Sequence, residues 1–341
     1  MRVWEDQAFD VPTGYLNTAS IGIPSAAVAD AMTEAIHEWR TGAARPPRYD
    51  RHVAAARNAW ARLTGVAPEH VASGASVSQL VGLVAASVPD GTRVVTAGNE
   101  FTSVTFPFAA QHHRGVTVTE VPHDRLADAA TDADLVAVSV VQSADGAVAD
   151  LDALRAAGTP VLLDATQAVG WLPSRLDWAD YVVGGSYKWL FAPRGAAWLA
   201  VRPDARPLVP HLANWYAAED PWEGVYGLPL RLADDARRLD LSPAWFSQLG
   251  AAVSTEWLAA QDMEVIRGHC TKLAGTVLAE MGQAPAGSAI ISLDLTGDQR
   301  ERLSAADVVS SVRAGRTRLS FHLYNTEDDV DRVLDALATR S

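Results

Sequence analysis

The chain is poor in lysine and nearly devoid of cysteine. Cys270 is the sole cysteine in 341 residues, so neither an internal disulfide nor a multi-cysteine metal site can form. Of the 28 basic residues only Lys188 and Lys272 are lysine, and the others are arginine. No apolar run reaches the ~18 residues of a membrane span. The opening MRVWEDQAFDVPTG has no basic or apolar stretch of signal-peptide type. Positive charge is in deficit: the net charge is -13 and the pI about 5.1, which disfavours nucleic acid as a partner. We therefore expect a soluble cytoplasmic protein with no metal centre, no membrane anchor and no nucleic-acid partner. Length suits two lobes that share a site.

What is present is rhythm. From about residue 70 to 201, short apolar runs (93–98, 135–141, 161–165, 181–185, 196–201) alternate with helical or loop segments such as 80–88. Continuous apolar strands between helices predict an α/β fold, a mostly parallel sheet covered on both faces. Earlier, Val28, Met32, Ile36 and Trp39 have helical spacing over 25–39. Residues 203–250 break the rhythm with many Pro and Trp, and read as a long connection with aromatic anchors for a pocket or subunit interface. Beyond 254 come a helical stripe (Ile266, Cys270, Leu273, Val277, Met281), a strand at 291–295 and a short helix around Val308, Val309 and Val312. A strand at 318–323 and a last helix through Val330, Val333, Leu334 and Leu337 complete a small α+β C-terminal lobe.

In a chain so short of lysine, each lysine is informative, because arginine cannot lose its proton near neutral pH and a desolvated lysine can. Lys272 lies about 200° round the helix from Cys270 and reads as a surface residue, with Cys270 in the apolar stripe. Lys188 sits between an apolar strand and Trp189-Leu190-Phe191, with no acid nearby in sequence. Apolar surroundings lower an amine's pKa and make it nucleophilic, as Schiff-base chemistry requires. Asp164 closes the run VLLDA, at the ligand-binding edge of such a sheet. A carboxylate there suits the ring nitrogen of pyridoxal 5′-phosphate (PLP), and Gln167 could reach the ring oxygen.

With these residues in view, DATQAVG followed by SYKWLFAPRG resembles the class V aminotransferase family of fold-type I PLP enzymes, which includes cysteine desulfurases, kynureninase and isopenicillin N epimerase. The likeness runs from YLNTASIG near residue 15 to YNTEDDVDRVLDAL at the end. It implies a large PLP-binding domain over residues 18–250 and a small domain from 1–17 and 251–341. It implies that Lys188 forms the internal aldimine and shuttles the substrate proton, that Asp164 and Gln167 contact the ring, and that Phe101 stacks on it. Ala75 and Ser76, at the turn before the helix at 80–88, would cradle the phosphate with Ser186 and Tyr187. Ser242 would reach the phosphate of a neighbouring subunit, which implies a homodimer. Arg318, six residues before Tyr324, would take the substrate carboxylate, with Asn17 as a second candidate.

The chain also departs from the family's pattern. Residues 290–317 contain no cysteine, so a desulfurase that forms an enzyme persulfide is disfavoured. Where relatives carry a ring-facing Asn, this chain has Gln142 or Ser143. The expected function is a class V aminotransferase acting on a small amino acid or its derivative. The alternatives are a carbon–sulfur (β-eliminating) lyase, an epimerase, or a non-catalytic binding module on the same fold.

Overall fold

Strands without a polar face must be covered on both sides, and the middle of the chain forms one such sheet. The structure is a computed structural model and describes residues 1–338. The hairpin β1 (Arg2–Trp4) and β2 (Gln7–Phe9) precedes helices α1 (Ala26–Thr41) and α2 (Asp50–Thr64). An alternation follows: β3 (Val71–Gly74), α3 (Val77–Ser87), β4 (Arg93–Ala97), α4 (Thr102–Ala109), β5 (Thr117–Val121), α5 (Leu126–Ala130), β6 (Leu135–Ser139) and α6 (Leu151–Ala157). Three strands then come without an intervening helix: β7 (Val161–Asp164), β8 (Tyr181–Gly185) and β9 (Ala197–Val201). The C-terminal part holds α7 (Trp245–Leu258), α8 (Met263–Glu280), β10 (Ile290–Leu293), α9 (Gly297–Ala305), β11 (Ser311–Arg313), β12 (Arg316–Ser320) and α10 (Glu327–Leu337).

The seven-stranded sheet has the order β3-β9-β8-β7-β6-β4-β5. β9 is antiparallel to both neighbours, and the pairs from β8 to β5 are parallel. Successive residues feed opposite faces, as strand geometry requires: Leu162 joins a cluster with Leu80, Val84 and Phe108, while Leu163 joins one with Trp60, Val138 and Trp198. β4, β6, β7 and β8 end at Ala97, Ser139, Asp164 and Gly185, and the site forms at this edge.

The second sheet, β10-β12-β11, is covered by α8, α9 and α10 around Leu273, Val277, Leu293, Leu319 and Val333. The N-terminal segment returns to it. Leu16 joins this cluster, Asn17 bridges Ser320, and Arg2 pairs with the buried Asp329. On these contacts we propose the two lobes to be residues 18–250 and 1–17 with 251–341.

Some local expectations are corrected. No helix forms around Val308, Val309 and Val312. The helix is α9, upstream, opened by a capping box between Thr296 and Gln299. Its polar sequence buries only Leu303, which hides it from an apolar-stripe search, and Ser311–Arg313 is an edge strand instead. The strand expected over 318–323 stops at Ser320, because the His322 N–H turns to Asn325 Oδ1. α1 forms as expected, with Val28 buried and Met32 packed on the cluster of Ala35, Tyr49 and Leu249, but Ile36 and Trp39 are 48% and 66% exposed, so the second half of its stripe does not reach this chain's own core. The Pro- and Trp-rich connection is a run of short turns. Trp222 and Tyr216 both donate to Asp50, which ties it to α2.

Candidate active site

The lysine sits on a closed turn between β8 and β9. The turn is stapled by Ser186, whose N–H donates to the Ala196 carbonyl and whose hydroxyl donates to the Pro193 carbonyl at 2.7 Å. Phe191, three residues after the lysine, is held in the left-handed region at φ 53° while fully buried, a strained backbone that only surrounding contacts can maintain. Gly22 donates to the Tyr187 carbonyl, and a Cβ there would overlap the Lys188 carbonyl. Gly170, at φ 111°, meets the Trp189 carbonyl in the same way. Two segments outside the turn therefore pack against its backbone.

The turn presents Lys188 to a cavity of about 720 Å³, open mouth included. Ala75, Ser76, Ser78, Phe101, Ser139, Ser143, Asp164, Gln167, Tyr187, Lys188 and Arg194 all lie on its wall. The amine is 5.3 Å from the Phe101 ring centroid. Burial pulls Lys188 from its ordinary 10.5 down to about 8, opposed by Asp164 and aided by Arg318, Arg313 and Arg194. Both side-chain hydrogen bonds to Asp164, from the Thr166 N–H and hydroxyl, fall on Oδ1. Oδ2 is left to the cavity. Burial pushes this carboxyl upward, and the hydrogen bonds and Lys188 oppose the shift.

Gln167 is a brace as well as a wall. Its amide donates to the Ala19 carbonyl at 3.1 Å and to Ser143 Oγ at 2.9 Å, and its oxygen accepts from the Trp189 indole. Ser143, not Gln142, faces the cavity. Gln142 turns away to the Gly98 carbonyl. Arg318 lies behind Ser143, 1% exposed, and donates to its carbonyl at 2.6 Å, to its hydroxyl at 3.0 Å and to Ser20 Oγ at 2.8 Å. All three acceptors are neutral. Burial, with Arg313 nearby, lowers this guanidinium to about 10. A buried cation without a carboxylate partner suits an incoming anion. Asn17 bridges Ser320 on the same strand, and its Oδ1 is buried without a partner.

The start of α3 lies on the cavity wall. Ser76 caps the helix through Gln79 N–H, and Val77 and Ser78 begin it at the cavity wall. The Ala75 N–H is taken by Gln79 Oε1 at 3.1 Å, and Gln79 Nε2 is buried without a partner. One expected contributor lies elsewhere, and Ser242, expected to serve a neighbouring subunit, stands outside this chain's cavity. Ser186 is fully buried with its hydroxyl spent on Pro193, so it does not reach the cavity. Ser242 is exposed, accepts from the Trp215 indole at 3.2 Å, and is absent from this chain's own cavity wall. Sequence reasoning did not single out Ser139, Thr166, Ser78, Gln79, Arg194 or the buried Glu100. A buried amine, a free carboxylate oxygen and a helix-start cradle on one wall are the donor set that PLP requires.

Residues 47–294 match the family model described as aminotransferase class-V. The chain belongs to that family. Class V enzymes are PLP-dependent, and PLP is the cofactor of this one. Among curated proteins, an uncharacterized aminotransferase, YcbU, of Bacillus subtilis (strain 168) is 28% identical over 318 residues, covering 84% of this chain and 83% of its own. Two solved structures share the fold. The cystine C–S lyase C-DES in complex with cysteine persulfide has a TM-score of 0.84 at 17% identity, over 96% of this chain and 97% of that one. The apo cysteine desulfurase of Thermococcus onnurineus NA1 has a TM-score of 0.81 at 19% identity, over 95% and 93%. This class V chain is thus an enzyme, and the non-catalytic alternative falls.

The depressed lysine carries a stability cost with a definite pH window. Its folded pKa, about 8, lies below its ordinary 10.5, so the unfolded chain binds the proton more tightly. The penalty is complete below pH 8, shrinks as pH rises from 8 to 10.5, and is gone above. Lys188→Met, which keeps the apolar stem, is expected to stabilise the cofactor-free protein at neutral pH by on the order of 3 kcal/mol. Denaturant unfolding at pH 7 and above pH 10.5 checks this, and a gain that does not shrink at high pH would contradict it.

Proposed function

We propose that this chain transfers the α-amino group of a small amino acid, using PLP attached through Lys188. One observation carries the reading: a buried amine faces the same cavity as the uncommitted oxygen of Asp164, with the carboxylate-free Arg318 behind the wall. When bound, the cofactor supplies an electron sink for the bond broken at the substrate Cα. In our reading Lys188 Nζ holds the cofactor and then carries the proton taken from Cα. Asp164 Oδ2 would pair with the ring nitrogen, Gln167 would exchange its Ser143 Oγ partner for the ring oxygen, and Phe101 would cover the ring. The turn at Ala75 and Ser76 and the first N–H groups of α3 hold the phosphate, beside Tyr187. Arg318 would receive the α-carboxylate through its planar fork in exchange for its bonds to Ser143, with Asn17 beside it.

The apolar residues left exposed on this chain support a homodimer, with Phe106 at 65% and Leu228 at 89%. In that assembly Ser242, outside its own cavity, would serve the partner subunit's phosphate. The single buried, unpaired Cys270 suits a reducing compartment, and we take the enzyme to be cytoplasmic.

A second reading, β-elimination from an amino acid with a leaving group at Cβ, is favoured by Tyr187. Its phenol lies on the cavity wall beside the lysine, and burial pushes it upward, so it stays protonated as an acid for the departing group. An enzyme-bound persulfide is not part of either reading, since Cys270 is fully buried in α8, away from the cavity wall.

The test is an amino-acid panel given to the PLP-loaded protein, with and without a keto-acid acceptor. Amino transfer that depends on the acceptor supports the first reading. Pyruvate and ammonia without an acceptor support the second. Inversion at Cα without consumption points to epimerisation. No turnover across the panel overturns the first reading.

A further inference from the structure

Glu100 is a buried acid that the scheme above leaves unused. It lies between β4 and α4, 7% exposed, directly before Phe101. Oε1 accepts from the Phe101 N–H at 2.7 Å and from Ser139 Oγ at 2.7 Å, and Oε2 accepts from the Ser139 N–H at 2.8 Å. No basic residue pairs with it among the described residues, although an unpaired buried carboxylate is costly. A carboxylate retained there at such a cost holds two groups that both line the cavity.

The two groups flank the ring site from different elements. Phe101 is the first residue ahead of α4, and it caps that helix without a side-chain hydrogen bond. Ser139 ends β6 and is the cross-strand partner of Asp164 in β7. Because Ser139 donates its hydroxyl proton to Glu100, its oxygen offers the cavity lone pairs only. That complements the positive ring edge that Asp164 would face, and it depends on Glu100 being an acceptor at both oxygens.

We propose that Glu100 is a positioning residue of the cofactor site, which fixes the Phe101 ring and the acceptor orientation of Ser139 as one hydrogen-bonded unit. The proposal rests on the placement of PLP against Lys188, Asp164 and Phe101 given above. Glu100→Gln keeps the size but turns a donor toward the Ser139 N–H, which breaks the unit without opening a cavity.

The experiment titrates PLP into cofactor-free parent, Glu100→Gln, Ser139→Ala and the double variant, read by visible absorbance and visible circular dichroism. Each single variant is expected to bind PLP about tenfold more weakly and to show a diminished visible dichroic band, which reports the ring's seating. The double variant is expected to be no worse than the weaker single variant, because both changes break the same unit. A folded Glu100→Gln protein with the parent's PLP affinity and dichroism overturns the proposal, as do losses that simply multiply in the double variant. If Glu100→Gln does not fold, Ser139→Ala decides: parent-like binding and dichroism overturn the proposal, and weakened binding with altered dichroism supports it. A parent that takes up no PLP overturns both this and the cofactor placement, whereas normal parent uptake with an indifferent Glu100→Gln overturns this alone.

Discussion

Replacing Lys188 with alanine is expected to remove the visible absorbance of the PLP-loaded protein and to lower turnover roughly 10³-fold or more. The magnitude follows from two roles in one atom. Nζ is the attachment point for the cofactor, and it is the base on the cavity wall whose pKa has been brought down to about 8. Lys272 cannot substitute, since it is exposed and paired with Glu327 at 2.8 Å. Borohydride should fix the cofactor covalently to the parent and not to the variant. Small exogenous amines should restore part of the turnover if the lost role is proton transfer. A variant that keeps turnover within about tenfold of the parent would remove Lys188 from the chemistry.

Asp164→Asn is the second large effect, and a sharper one. Asparagine can keep the two hydrogen bonds that Thr166 makes to Oδ1, so the end of β7 should stay in place. What is lost is the charge at the other oxygen. The variant is expected to fold, to bind PLP and to show visible absorbance, yet to turn over about 10²–10³-fold more slowly, because a preorganised charge at the reacting centre is gone. Asp164→Ala is a poorer test, since it leaves the Thr166 groups buried without their acceptor. Turnover of Asp164→Asn within about threefold of the parent would mean that the ring nitrogen is not held by this carboxylate.

These two residues were also the most legible in the sequence, for physical reasons. Lysine is scarce here and apolar surroundings perturb it, so Lys188 stood out. A carboxylate closing an apolar run is unusual in a covered strand, so Asp164 stood out too. Gln167 followed from its place three residues after Asp164, the resemblance to class V enzymes added Phe101 and Arg318, and the structure gathers these around one cavity or directly behind its wall. Ser186 was misplaced because the chain leaves β8 in a closed turn: Tyr187 and Lys188 face the cavity, while the Ser186 hydroxyl is spent stapling the turn to Pro193. Ser139 and Glu100 were invisible for another reason. Their importance comes from cross-strand register, which pairs Ser139 with Asp164, and register is not written in local pattern. The covered strands β6, β7 and β8 were legible as apolar runs, whereas the edge strand β5 alternates with exposed polar residues and was not singled out.

The glycine contacts on the lysine turn have a consequence for how the enzyme matures. Gly22 is far from residue 188 along the chain and Gly170 is nearer, yet each backbone sits where any side chain would push the turn aside. The amine is therefore correctly aimed only after long-range closure of the N-terminal segment over the sheet, a late event in chains dominated by distant contacts. Uptake of the coloured cofactor would then report that the N-terminal segment has closed over the lysine turn.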